Sequence, residues 1–230
     1  AKFGKGQIIP PLVIDLGDRQ IEIEGIIDRI DTLEHEDKTD LIVIDYKTGS
    51  KSFDLSLAVN GIDVQLPVYL KAATEAIKDS RPAGFFYLPV KEIYIGTEEV
   101  DKELIYKELF KKLALDGLII DDEDIIKALD AEIDNNSTVI KFAGRKKNYI
   151  EKDNVFSESQ INEFLEDILK TVSENIKGIY SGNIDPYPYI FNQNSECNYC
   201  EFMSMCKFDL EKNKFYRPIE EVKWKDYKND

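Results

Sequence analysis

The stretch "IVIDYKTGS" (42–50) begins as a buried strand, then sets Asp45 and Lys47 two residues apart just before a Gly turn. Side chains alternate along a strand, so Asp45 and Lys47 share one face while Tyr46 takes the other. Asp28, at the end of "GIID", supplies a second carboxylate. If the two segments pair antiparallel around residues 32–40, Asp28 comes alongside Asp45. Two carboxylates this close repel, and one pKa rises unless a divalent cation sits between them. Hard oxygen ligands suit Mg²⁺ or Mn²⁺. A lysine on the same face can hold an attacking water or neutralise charge growing on a phosphate. Phosphodiester hydrolysis is the chemistry this set suits. The plainer reading of Asp45 and Lys47 is a surface ion pair at a strand end, contributing ~0–1 kcal/mol. Asp28 behind "GII" and a helix after the turn weigh against it.

That helix is expected within "IDVQLPVYLKAATEAIKD" (62–79), where Pro67 is tolerable only in a first turn or at a kink. Gln65 and Tyr69 are four apart and share a helix face. Gln65 can orient a ligand or a lysine and Tyr69 can donate to a phosphate; equally, the two are a polar pair covering a sheet.

The elements that must hold these residues follow from patterning. "RQIEIEGIIDRID" (19–31) alternates and then turns apolar, which predicts a strand entering a core. "TLEHEDKTD" (32–40) reads as a loop or hairpin end, and "LIVIDYK" (41–47) as a second strand antiparallel to the first. "AGFFYLPVKEIYI" (83–95) is β-like. Helical spacing recurs in 101–115, 122–133 and most clearly 157–182, where Ser157 and Gln160 make a capping box and Gly182 closes the far end. No internal repeat or linker is evident. One α/β domain over 1–230 is expected, a central mixed β-sheet flanked by helices.

With 43% hydrophobic residues in 230, the chain can bury a sizeable core. Its 30 basic against 45 acidic residues give a net charge of −15, which argues against passive nucleic-acid binding. A metal-dependent nuclease stays open, because bound cations invert local charge. Lys141, Arg145, Lys146 and Lys147 form the densest basic group, read either as a solvated loop or as a phosphate contact. No apolar run approaches the roughly 20 residues of a membrane-spanning helix. The start, "AKFGKGQIIPP", has neither an initiator Met nor a signal-peptide core, as expected of an excised piece of a longer protein. Cys197, Cys200 and Cys206, spaced C-x₂-C-x₅-C, suggest a reducing, cytoplasmic setting. Thiolates so spaced bind zinc or an iron–sulfur cluster, though both want four ligands; free thiols packed with Phe202, Met203 and Met205 are the alternative.

"GIIDRID", "DYKTG" and "QLPVY", in that order, resemble the G-x-x-D, D-x-K and Q-x-x-x-Y motifs of RecB-type PD-(D/E)XK nucleases. Within that family the likeness is to the nuclease domain of AddB-type helicase–nuclease subunits. "LALDGLIIDDEDIIKALD" (113–130) and the cysteine-rich end carry that part of it, and the likeness runs from about residue 20 to 217. The resemblance implies a restriction-endonuclease-like fold. It implies that Asp28, Asp45 and the Tyr46 carbonyl bind Mg²⁺ or Mn²⁺, that Lys47 is the catalytic lysine, and that Gln65 and Tyr69 support it beside the strand. It further implies exonuclease action on single-stranded DNA during double-strand-break repair, with an AddA-like partner subunit delivering the strand. An inactive strand-guiding module of the same fold, or a RecB-type exonuclease of CRISPR adaptation, are the alternatives. Cys197, Cys200 and Cys206 are then three ligands of a [4Fe–4S] cluster whose fourth cysteine lies upstream, so the cluster is expected to be incomplete in this piece. The family commonly adds an upstream His or acidic ligand. The sole histidine, His35, sits in the hairpin connection and is expected to be solvated rather than a ligand.

Overall fold

A computed structural model describes residues 1–49, 51–90, 102–134, 137–144, 146–185, 187–209, 212 and 216–227. Two small antiparallel ribbons come first: β1 (Lys2–Phe3) pairs with β4 (Gly25–Ile26), and β2 (Leu12–Asp15) with β3 (Gln20–Ile23). Then follow β5 (Arg29–Glu34), β6 (Thr39–Lys47), α1 (Leu55–Val59), α2 (Gln65–Ala76) and β7 (Ser80–Pro89). The remainder holds α3 (Lys102–Lys112), β8 (Asp116–Ile120), α4 (Glu123–Leu129), β9 (Val155–Phe156) and α5 (Glu158–Tyr180). The central sheet has the order β5-β6-β7-β8-β9. It is mixed: β5–β6 and β7–β8 are antiparallel, β6–β7 and β8–β9 parallel.

Leu41 to Ile44 are buried on both sides of the sheet, and that unbroken apolar run draws β6 towards its middle. On one face α2 and α5 cover the sheet, with Phe85 packed 4.9 Å from Phe53 and 6.0 Å from Phe164, centroid to centroid. On the other face Ile44 and Leu88 line a cavity together with Phe110 of α3 and Leu129 of α4. A register shift at Leu41/Ile42 leaves Ala83 as an extra residue in β7. This bulge changes the alternation, so Arg81 lies with Asp40 on the α4 face while Phe85 and Tyr87 turn to the α2 face. Gly117 is required by close approach, since a Cβ there would collide with the Phe85 carbonyl oxygen.

Several sequence expectations shift. Residues 19–31 form not one strand but three short ones, because Gln20–Ile23 pair with β2 and Ile27 hydrogen-bonds the Ala1 carbonyl at 2.6 Å. The 32–40 connection shrinks to residues 35–38, since Thr32 to Glu34 continue the ladder against Thr39 to Leu41. The helix expected over 101–115 ends at Lys112, and the buried "DGLII" after it forms β8. The next helix ends at Leu129 rather than at 133. Residues 91–95 of the β-like stretch lie outside the described residues. Among the described residues no helix is long and apolar enough to cross a membrane.

α5 begins as its sequence dictates. The Ser157 hydroxyl accepts from the Gln160 amide and the Gln160 side chain accepts from the Ser157 amide, while Gly182, at φ 78°, follows the last turn. Ser157→Ala is therefore expected to cost about 1 kcal/mol, read as a lowered denaturation midpoint with an unchanged m-value.

Candidate active site

The β5–β6 ladder begins at Arg29↔Ile44, so Asp28 and Asp45 are the next residues along their two strands. Asp28 is exposed and accepts a 3.0 Å hydrogen bond from the Tyr46 amide. Asp45 is 4% exposed. Its Oδ1 accepts from Gln65 Nε2 at 3.1 Å, and its Oδ2 lies 2.6 Å from Lys47 Nζ. Lys47 Nζ donates to Gln65 Oε1 at 2.9 Å, and Gln65 Nε2 also reaches the Tyr69 hydroxyl at 3.3 Å. The amide of Gln65 can sit only this way round; reversed, its NH₂ would face the ammonium and its oxygen the carboxylate. Pro67 lies in the first turn of α2, where its missing N–H leaves no gap, so the helix starts squarely at Gln65. The Phe3 ring packs edge-on to Tyr69 at 5.5 Å, and the backbone of Gly25 leaves room for both.

A buried carboxylate needs its lone pairs satisfied. Asp45 Oδ2 is close enough to Lys47 for charge pairing yet has no directed hydrogen bond, and it is the only buried side-chain oxygen or nitrogen so left among the described residues. Open lone pairs beside a second carboxylate are what a hard divalent cation takes, so Asp28 and Asp45 fit Mg²⁺ or Mn²⁺. These are two carboxylates, so the family's usual third acidic or His ligand has no counterpart among the described residues.

Three residues that sequence reasoning passed over join this group. Tyr87, directly across from Asp45 on β7, is wholly buried, and its ring centroid lies 5.0 Å from Lys47 Nζ. Its hydroxyl donates to Asp63 Oδ1 at 2.7 Å. Burial, then the charge of Asp63, push the phenol pKa far up, so Tyr87 remains a donor at any ordinary pH. Lys51 Nζ sits 2.8 Å from the same Asp63 oxygen and also 5.0 Å from the Tyr87 centroid. The available hint was a second Lys and a second Asp downstream of the D-x-K turn.

Other expected sites separate from this one. His35 is half-exposed and contacts Asp40 at 2.7 Å at the opposite end of β6, about 17 Å along the strand from Asp45. In the basic loop, Lys141 pairs with Asp116 and Lys146 lies 3.8 Å from Glu151; Arg145 lies outside the described residues. Cys197, half-buried in a 3₁₀ turn, and the exposed Cys200 and Cys206 are free thiols. Among the described residues no group of three or more Cys, His, Asp or Glu side chains gathers to hold an ion. As arranged here, the thiols do not form a cluster site.

The PD-(D/E)XK nuclease superfamily matches residues 2–207. An ATP-dependent helicase/deoxyribonuclease subunit of Caldanaerobacter subterraneus subsp. tengcongensis is 35% identical over 95% of this chain. The subunits of the same name from Alkaliphilus metalliredigens and Clostridium tetani are 34% and 36% identical, each over 96% of it. The chain spans 20% of the length of each of these relatives. With the motif residues meeting at one end of a mixed sheet and the match covering nearly its whole length, this chain belongs to the PD-(D/E)XK nuclease superfamily.

Proposed function

We propose that residues 1–230 are the nuclease domain of a helicase–nuclease subunit, a metal-dependent deoxyribonuclease that hydrolyses an unwound single strand as an exonuclease during double-strand-break repair. The observation carrying this reading is the buried Asp45 Oδ2, charge-paired with Lys47 but without a directed hydrogen bond, at the strand end that Asp28 reaches through the Tyr46 amide. Asp28, Asp45 and the Tyr46 carbonyl are assigned to a Mg²⁺ or Mn²⁺ ion. When bound, the ion supplies Lewis-acid polarisation of the phosphoryl oxygen and lowers the pKa of coordinated water. Lys47, held by Gln65, orients the attacking water or offsets charge growing on the phosphate. Tyr69 donates to the backbone of the strand. The names of the relatives, each a subunit of an ATP-dependent helicase/deoxyribonuclease, support a further subunit as partner; that this partner is AddA-like and the setting cytoplasmic belongs to the same proposal. Delivery by that partner would let so acidic a domain work with little strand affinity of its own. A [4Fe–4S] cluster on Cys197, Cys200 and Cys206 would need a fourth thiolate from elsewhere in the full-length protein and the three thiols drawn together; no step here uses it.

The test is cleavage of end-labelled single-stranded DNA by the full-length protein with its partner, the partner's own nuclease centre inactivated. Cutting is expected with Mg²⁺ or Mn²⁺, none after chelation, and a loss of about 10²–10³-fold in Lys47→Ala with strand binding retained. Wild type that binds the strand in metal yet never cuts it would identify a strand-guiding module instead.

A further inference from the structure

Lys51 and Asp63 form a second ammonium–carboxylate pair beside the first. Asp63 is 4% exposed and stands two residues before α2. Its carboxylate is already engaged without Lys51, by the Tyr87 hydroxyl at 2.7 Å and the Asp54 amide at 3.3 Å. The Lys51 side chain is 45% exposed, against 23% for Lys47. The Lys51 end of the pair reaches water, and the buried Asp63 keeps its two other hydrogen bonds, so Lys51 can exchange the carboxylate for another anion without stranding it. Both ammoniums lie 5.0 Å from the Tyr87 centroid and so no farther than twice that from each other. That reach is enough for the two ammoniums to meet neighbouring phosphates of one strand.

We infer that Lys51 is a substrate-binding residue that contacts a backbone phosphate neighbouring the scissile one, with Asp63 and Tyr87 as the positioning residues that hold it at the mouth of the site. This rests on the nuclease reading above and extends it by one subsite. Contact with the phosphate leaves Asp63 bonded to Tyr87 and Asp54, so the buried carboxylate is never stranded. A lysine serves here as a point charge, and an arginine of equal charge should substitute for it.

The test uses the full-length protein with its partner's nuclease centre inactivated and labelled single-stranded DNA, with binding titrated across salt concentrations and cleavage followed in Mg²⁺. Lys51→Ala should weaken strand binding and raise KM by about fivefold to tenfold, with kcat moving less than about threefold. Its plot of log affinity against log salt should flatten by about 0.7, the loss of one single-strand phosphate contact. Lys51→Arg should restore both. A lowered Tm with unchanged salt slope would reduce Lys51 to a structural ion pair and overturn the inference, as would a loss confined to kcat. Failure of wild type to cut sinks the nuclease reading, whereas a cutting wild type with an indifferent Lys51→Ala sinks this one alone. The binding titration reads Lys51 in either case.

Discussion

Asp45→Asn is expected to lower single-strand cleavage by about a thousandfold while the fold survives. The substitution removes the charge and the unsatisfied Oδ2 assigned to the metal, and it keeps the size and the remaining hydrogen bond to Gln65. Metal-ion stabilisation of developing charge is worth several kcal/mol, and each ~1.4 kcal/mol is tenfold in rate. Stability should change by less than about 2 kcal/mol. Breaking a buried ion pair usually costs more, but here the stranded partner, Lys47, is 23% exposed and keeps Gln65 and access to water. Cleavage rate, Mn²⁺ titration and a thermal melt measure the three quantities. A variant that still binds Mn²⁺ as tightly as wild type would refute the metal assignment. A variant that melts far below wild type would make Asp45 a structural residue first.

Arg81→Met is expected to do the reverse, destabilising the protein by roughly 3–5 kcal/mol without touching the chemistry. The Arg81 side chain is 11% exposed and that of Asp40 1%. The guanidinium bonds Asp40 through Nε, and its Nη2 reaches Asp40 Oδ2 at 2.8 Å and Asp122 Oδ2 at 2.7 Å, tying β6 and β7 to the N-cap of α4. Without it, the buried Asp40 keeps, of these side-chain contacts, the one to His35. For a chain of this size the loss corresponds to a Tm fall on the order of 10 °C. The pH dependence should change too. Burial alone would raise the pKa of Asp122, but the hydrogen bond and charge of Arg81, with the amides of Ile125 and Asp124, hold it below the ordinary value. A carboxylate depressed in the folded state stabilises above the unfolded pKa of about 3.9, and that contribution vanishes as pH falls through the folded value. Wild type should therefore lose more stability on acidification below about pH 4 than Arg81→Met does. Equal acid sensitivity in both proteins would show that the Arg81–Asp122 contact contributes nothing.

How far the sequence reaches depends on the distance over which each feature is encoded. Asp45 and Lys47 share a face because strand alternation is written within three residues, and Gln65 and Tyr69 meet because one helical turn separates them. The capping box at Ser157 is equally local and equally legible. The approach of Asp28 to the end of β6 that carries Asp45, seen in its bond from the Tyr46 amide, needed only a short hairpin. What tertiary structure alone decided is the alignment of β6 with β7, a parallel pair joined through α1 and α2. That register carries Tyr87 beside Asp45 and brings Asp63 and Lys51 around its ring, none of which any spacing in the chain foretells. The Ala83 bulge then sends Arg81 to the opposite face, and "DGLII", too short for periodicity to classify, is a strand because burial between neighbours makes it one. Local period is set by backbone geometry, whereas register is set by which distant segments bury each other, and only the folded chain contains that choice.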